Sequence, residues 1–169
     1  QIDDGDSKRT IMRSTDGAES WTSIDEGNTV NDSSRAICFG NVTGSVWAKS
    51  LQSHVWVSAD NGANWADKGA LELAKDVNAI AYCEKDEMWL AVLQSGNMYT
   101  SDDDWGSNTE RSQACGTKHI YCVVYAAGSI NKWIAGGDDG RLQYSSDGIN
   151  WTAIWEGDDS TWGTNDIYA

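Results

Sequence analysis

The side chains able to do chemistry in this sequence are mostly carboxylates. Asp102-Asp103-Asp104 and Asp138-Asp139 place acids side by side, and clustered oxygens are what calcium takes. Neither run follows an EF-hand loop, and both sit among turn-forming residues, so solvated turn acids are the plainer reading. His54 and His119 each offer an imidazole, but neither belongs to an H-E-x-x-H site, and no G-x-S-x-G nucleophile elbow is present. Cys38, Cys83, Cys115 and Cys122 form no C-x-x-C pair and complete no zinc pattern with the histidines. Buried free thiols are the first reading of them, and a Cys115–Cys122 bridge the sharper one. No catalytic residue, metal ligand or cofactor is assigned.

The net charge of −14 bears on partners. A chain this acidic repels phosphate backbones and anionic lipid surfaces, which argues against nucleic acid and membrane partners. No apolar run approaches the roughly 18 residues that a membrane helix needs. The sequence opens on Gln1 rather than Met, and the expectation is a processed chain or a segment of a longer one.

The 10 tryptophans gain meaning from their positions. Four segments align: Ser14-Thr-Asp16-Gly17-Ala-Glu-Ser-Trp21, Ser58-Ala-Asp60-Asn-Gly62-Ala-Asn-Trp65, Ser101-Asp-Asp103-Asp-Trp-Gly106 and Ser145-Ser-Asp147-Gly148-Ile-Asn-Trp151. Their leading serines are 44, 43 and 44 residues apart (58−14, 101−58, 145−101). The third copy is degenerate, with Trp105 ahead of its glycine and Thr109 near the usual tryptophan position. Trp47, Trp89 and Trp133 precede their segments in the same phase, and so do Ala36–Phe39, Ala79–Tyr82 and Ile120–Val123. Each unit reads as short β-rich runs, such as 79–82, 88–93 and 97–101, separated by Gly, Asn, Asp and Ser clusters. There is no sustained helical period. Four short strands in about 40–45 residues is the size of one propeller blade.

The pattern Ser-x-Asp-x-Gly-x-x-Trp resembles the Asp-box, or BNR repeat, over nearly the whole chain. The resemblance implies an all-β fold, a β-propeller of about four Asp-box blades, as a single domain over residues 1–169 with boxes at 14–21, 58–65, 101–109 and 145–151. It also implies a box on each hairpin between third and fourth strands. Asp16, Asp60, Asp103 and Asp147 would accept turn amides. Gly17, Gly62, Gly106 and Gly148 would take positive φ, and Trp21, Trp65 and Trp151 would fold onto the blade. On this reading the boxes are structural staples. Trp47, Trp89 and Trp133 are expected to pack between blades.

The first box follows only 13 residues, so the first blade is expected to lack its opening strand. Residues 165–169 resemble such a strand. The propeller is accordingly expected to close by pairing its terminal strands, with Gln1-Ile2-Asp3 as a stub of second strand, or else to form part of a larger ring.

A sialidase-like glycoside hydrolase needs an arginine triad and an Arg-Ile-Pro type motif. The chain has five arginines and no proline, so it is read as not an enzyme. The favoured function is an interaction or structural protein, in a virion, tail or surface assembly, outside the cell or on a virion surface. It would dock a protein through propeller faces or join a homo-oligomer. The alternative is a carbohydrate-binding propeller, with Trp56, Tyr99, Tyr144, Trp155 and Trp162 as candidate contacts.

Overall fold

The computed structural model describes residues 2–3, 9–24, 34–40, 46–112, 114, 116–155 and 165–168. The recurring Gly/Asn/Asp/Ser clusters cut the chain into antiparallel sheets, each made from consecutive strands. The first holds β1 (Ile2–Asp3), β2 (Arg9–Arg13) and β3 (Thr22–Ile24). The second holds β4 (Ile37–Gly40), β5 (Val46–Leu51), β6 (His54–Ser58) and β7 (Ala66–Ala70). The third holds β8 (Val77–Cys83), β9 (Met88–Leu93), β10 (Met98–Ser101) and β11 (Thr109–Arg111). The fourth holds β12 (Ile120–Ala126), β13 (Lys132–Gly137), β14 (Leu142–Ser145) and β15 (Trp151–Trp155). Among the described residues the only helical turns are the 3-10 turns Gln94–Gly96 and Asp138–Gly140.

Sheets two to four pack face to face, with their opening strands β4, β8 and β12 next to one another. Alternation within each strand sends one set of apolar residues to each neighbouring sheet. One core lies between sheets two and three and contains Ala48, Val55, Val57, Val77, Ile80, Trp89 and Leu93. The other lies between sheets three and four and contains Ala81, Met88, Leu90, Val92, Met98, Ile120 and Trp133. Sheet three is therefore covered on both faces, and β9 is buried along its whole length.

The repeated tryptophans do hold sheets together. Trp89 and Trp133 are both 0% exposed. The Trp89 ring lies so close to Gly40 of sheet two that a Cβ there would stand 2.3 Å from Cζ2. Glycine is required at that point because the indole occupies the space of a side chain. Trp47, at the equivalent position of sheet two, is only half buried.

The first sheet has the stub that the sequence suggested, since Ile2 and Asp3 pair with Thr10 and Arg9. Among the described residues no fourth strand joins it. Residues 165–168 lie instead against sheet four. The Ile167 amide donates to the Gly137 carbonyl at 2.9 Å, and its side chain sits over Gly136, where a Cβ would approach within 2.7 Å. The Val77 amide makes a similar bond to Gln52 as β8 enters beside sheet two. The segment thus lies where an opening strand would begin, but among the described residues no ladder ties it to β1.

Candidate functional site

The serine-led turns come first because they carry most of the recurring acids. In all four, the serine hydroxyl donates to the aspartate Oδ1, at 2.8 Å in three and 2.9 Å in the last. The same hydroxyl oxygen accepts a backbone amide at 2.8 Å, from Ala18, Gly62, Trp105 or Gly148. The aspartate then accepts the amide of Ser20, Asn64, Ser107 or Asn150. Those residues' side chains also donate to it. Such bonds favour the ionised form. Asp16 is held at about 2, chiefly by the Ser20 hydroxyl, and Asp60 at about 2, chiefly by the Asn64 amide group. Asp103 and Asp147 are lowered as well, first by the amides of Ser107 and Asn150. These carboxylates are committed to their own turns. Among the described residues no group of acids, cysteines and histidines is arranged to hold a metal ion.

Two details of the turns depart from expectation. Gly106 is not the residue with positive φ in the third turn; Asp104 (φ 53) and Trp105 (φ 66) take that role. Gly17, Gly62 and Gly148 do have positive φ, at 73, 78 and 70. Trp105 accepts the unfavourable backbone because its ring is buried, 2% exposed, in the core between sheets two and three. Trp21 does not fold onto its sheet and is 55% exposed. Among the described residues the first sheet makes no extensive strand contact with the others. Trp65 and Trp151 are half buried.

Three of the five aromatic candidates, Tyr99, Trp56 and Tyr144, have described side chains, and each has surroundings of its own. Tyr99 is buried, at 8% exposure, in the core between sheets two and three, so its ring is closed to a ligand arriving from solvent. Burial, and then the carboxylates of Glu110 and Glu72, push its hydroxyl up. Trp56 is half buried, with the Lys49 ammonium 5.4 Å from its ring centre and 5.0 Å from that of Trp65. Tyr144 lies under the Lys132 ammonium at 4.7 Å. These rings already serve the chain's own cations. Trp162 and the side chain of Trp155 lie outside the described residues, and so does Cys115 with its suggested bridge. Cys38, Cys83 and Cys122 are free thiols.

The structure brings a different set together. Phe39, Tyr82 and Tyr125 stand near the ends of β4, β8 and β12, one from each packed sheet. Each lies directly opposite a repeated tryptophan on the next strand: Phe39 faces Trp47, Tyr82 faces Trp89 and Tyr125 faces Trp133. Their ring centres are 5.2, 4.8 and 5.1 Å apart, within the range of favourable aromatic pairs. The three rings line a cavity of about 610 Å³, together with Glu84, Lys85 and Asn131. Gly40, Ala127 and Gly128 add small-residue walls.

The polar groups around this cavity are held in place. The Tyr125 hydroxyl donates to the Asn131 side chain at 3.4 Å. Its pKa is pushed up to about 12, first by the Cys83 thiol and then by burial. The Cys83 thiol donates to Asp86 at 3.4 Å, and burial is the main reason its own pKa is raised. The turn 84–87 is exposed and carries Glu84, Asp86 and Glu87 against a single cation, Lys85. The site is therefore an aromatic trough with an acidic rim, open to solvent at one end of the sheet stack.

A sequence signal for the site existed. The spacing from Phe39 to Trp47 and from Tyr125 to Trp133 is eight residues, and from Tyr82 to Trp89 seven. Aligning Ile120–Val123 with the two earlier strands hid this row. The observed register makes Cys122–Tyr125 the third copy, which puts an aromatic at the same place three times.

No protein-family model matches the chain, and no curated protein matches it. Solved structures do. A chain of a nidogen/laminin complex is 10% identical with a TM-score of 0.65, over 93% of this chain and 61% of that one. YCF48 bound to a D1 peptide is 14% identical with a TM-score of 0.58, over 79% and 43%. A GH74 enzyme from Niastella koreensis is 21% identical with a TM-score of 0.54, over 71% and 17%. The chain thus spans 17% to 61% of these neighbours' lengths. With the four sheets, these likenesses establish the class: the chain is an all-β protein with the β-propeller fold, and its sheets are propeller blades.

Proposed function

We propose that this chain is a non-enzymatic interaction module, an Asp-box propeller forming one domain over residues 1–169, which docks a protein partner through one end face. The observation that carries this reading is the trough in which three blades contribute one aromatic ring each. Apolar troughs with a few fixed polar groups are what ligands use, and aromatic residues are enriched at protein interfaces. The Asp-box assignment is supported by the four turns, whose serine and aspartate make one recurring set of bonds. Two propeller neighbours give precedent for the role, YCF48 with a peptide and a nidogen/laminin complex. The setting we infer, a virion, tail or surface assembly outside the cell, rests on the character of residues 145–152 alone.

The same rings favour a second reading. Tyr82 and Tyr125 beside Asn131 and Glu84 also suit a sugar ring, which stacks on aromatic faces and bonds to polar side chains. The decisive experiment is affinity capture from the native source, with a glycan array in parallel. A specific protein partner retained by the wild type and lost by Phe39→Asp supports docking at this face. Glycan binding with the same sensitivity transfers the site to the lectin reading. Capture that is unchanged in Phe39→Asp removes this face from the proposal.

A further inference from the structure

We infer that the trough takes an extended peptide segment in which a basic side chain stands next to an apolar one. This deepens the docking reading above and rests on it. The apolar part follows from the walls, since Phe39, Tyr82 and Tyr125 present ring surface and Gly40, Ala127 and Gly128 present little else. Phe39 is 45% exposed, so an apolar side chain seated on it removes surface that water now covers.

The basic part follows from charge. Glu84 lines the trough, and Asp86 and Glu87 share its turn. Lys85 also lines the trough, but it is the one cation in that turn and lies 3.8 Å from Asp86, which leaves the turn net acidic. The chain as a whole carries −14, which attracts basic segments and turns acidic ones away. Aromatic faces add to the preference, because a guanidinium or ammonium over a ring is favoured by the ring's quadrupole. The Tyr125 hydroxyl brings no competing negative charge at neutral pH, its pKa being pushed up to about 12. A neutral sugar could hydrogen-bond to Glu84 but brings no charge to pair with it, so salt dependence separates the two ligands.

The test pans a phage-displayed library of random dodecapeptides on the intact chain, then titrates synthetic copies of the hits by fluorescence anisotropy at low and high salt. The expected hits carry Arg or Lys within two positions of an aliphatic or aromatic residue. Their affinity should fall about tenfold or more with Glu84→Lys or at high salt, and also with Phe39→Asp. Trp21→Ala, far from the trough in sequence and exposed, should leave it unchanged. Thermal unfolding of each variant confirms that it is folded, and Asn131→Lys serves as a second probe if Phe39→Asp is not. Hits that need Phe39 but lack basic residues, or bind equally at high salt, overturn the ligand class and leave the docking face standing. Hits indifferent to Phe39→Asp, Glu84→Lys and Asn131→Lys, or no enrichment over those variants, overturn both.

Discussion

Blades two and three present the same pattern on the same face, yet the two faces differ in burial. Blade three has Ile80, Tyr82 and Trp89; blade two has Ile37, Phe39 and Trp47. Ile80 is 6% exposed and Trp89 is 0% exposed, because blade two covers them. Ile37 is 55% exposed and Phe39 45%, with Trp47 half buried. The apolar pattern and the pairing of an aromatic with a tryptophan across the strands are shared, so the difference comes from the neighbour. An apolar side chain stabilises the fold according to the surface a partner takes from water, not according to its own hydrophobicity.

Tryptophan truncation tests this contrast with the largest expected effect. Trp89→Ala should cost about 3–5 kcal/mol, as buried aromatic truncations do. Trp47→Ala, with one side uncovered, should cost about 1–2 kcal/mol on area grounds. Urea denaturation measures both, and equal losses would mean that blade two's face is as well covered in solution as blade three's. Next in size is Gly40→Ala, whose added carbon meets the Trp89 ring. Overpacking there should cost about 1–3 kcal/mol. Combining it with Trp89→Leu should return part of that loss, because the two sites touch. Strict additivity in that double-mutant cycle would deny the contact.

The serine-led turns extend the comparison to smaller effects. Ala18 has φ 73 in the first turn, where the second has Gly62 at φ 78. Ala18→Gly should therefore stabilise by up to about 1 kcal/mol, the relief of a left-handed alanine. Trp21→Ala nearby should stay within about 0.5 kcal/mol. A stabilising Trp21→Ala paired with a neutral Ala18→Gly in thermal melts would reverse the assignment of strain and exposure. The acid response comes last, since these carboxylates are exposed and screened. A folded value of about 2 against an ordinary 3.8 means that folded Asp16 and Asp60 bind protons less tightly than the unfolded chain does. Their contribution is complete above about pH 4 and is lost as pH falls through 2. Acid unfolding of Asp60→Asn should be less steep than wild type over that window, and identical curves would show that the turn carboxylate adds nothing.

Several features were legible in the chain before any coordinates. The four serine-led turns, the blade period, the inter-blade role of Trp89 and Trp133 and the stub at Ile2–Asp3 all follow from contacts close in sequence, or from a pattern that repeats. Each turn closes through bonds spanning no more than four residues, so a local string of residues suffices to specify it. The site was not legible in the same way. Its three rings come from residues 39, 82 and 125, and aligning Ile120–Val123 with the earlier blades puts the first-strand frame of blade four two positions off. The cross-strand register at Tyr125 and Trp133 corrects it.

The sequence alone determined what depends on short-range bonding and periodicity: β structure, the turns and the places where an acid is needed. Tertiary structure alone decided what depends on a neighbour. It buried Trp105 while leaving Trp21 exposed, enclosed Tyr99, turned Trp56 and Tyr144 toward the chain's own lysines and gathered Phe39, Tyr82 and Tyr125 around one trough. The reason is that a hydrogen-bonded turn is satisfied by its own few residues, whereas burial is a property of two surfaces, and the second surface is encoded some 40 residues away.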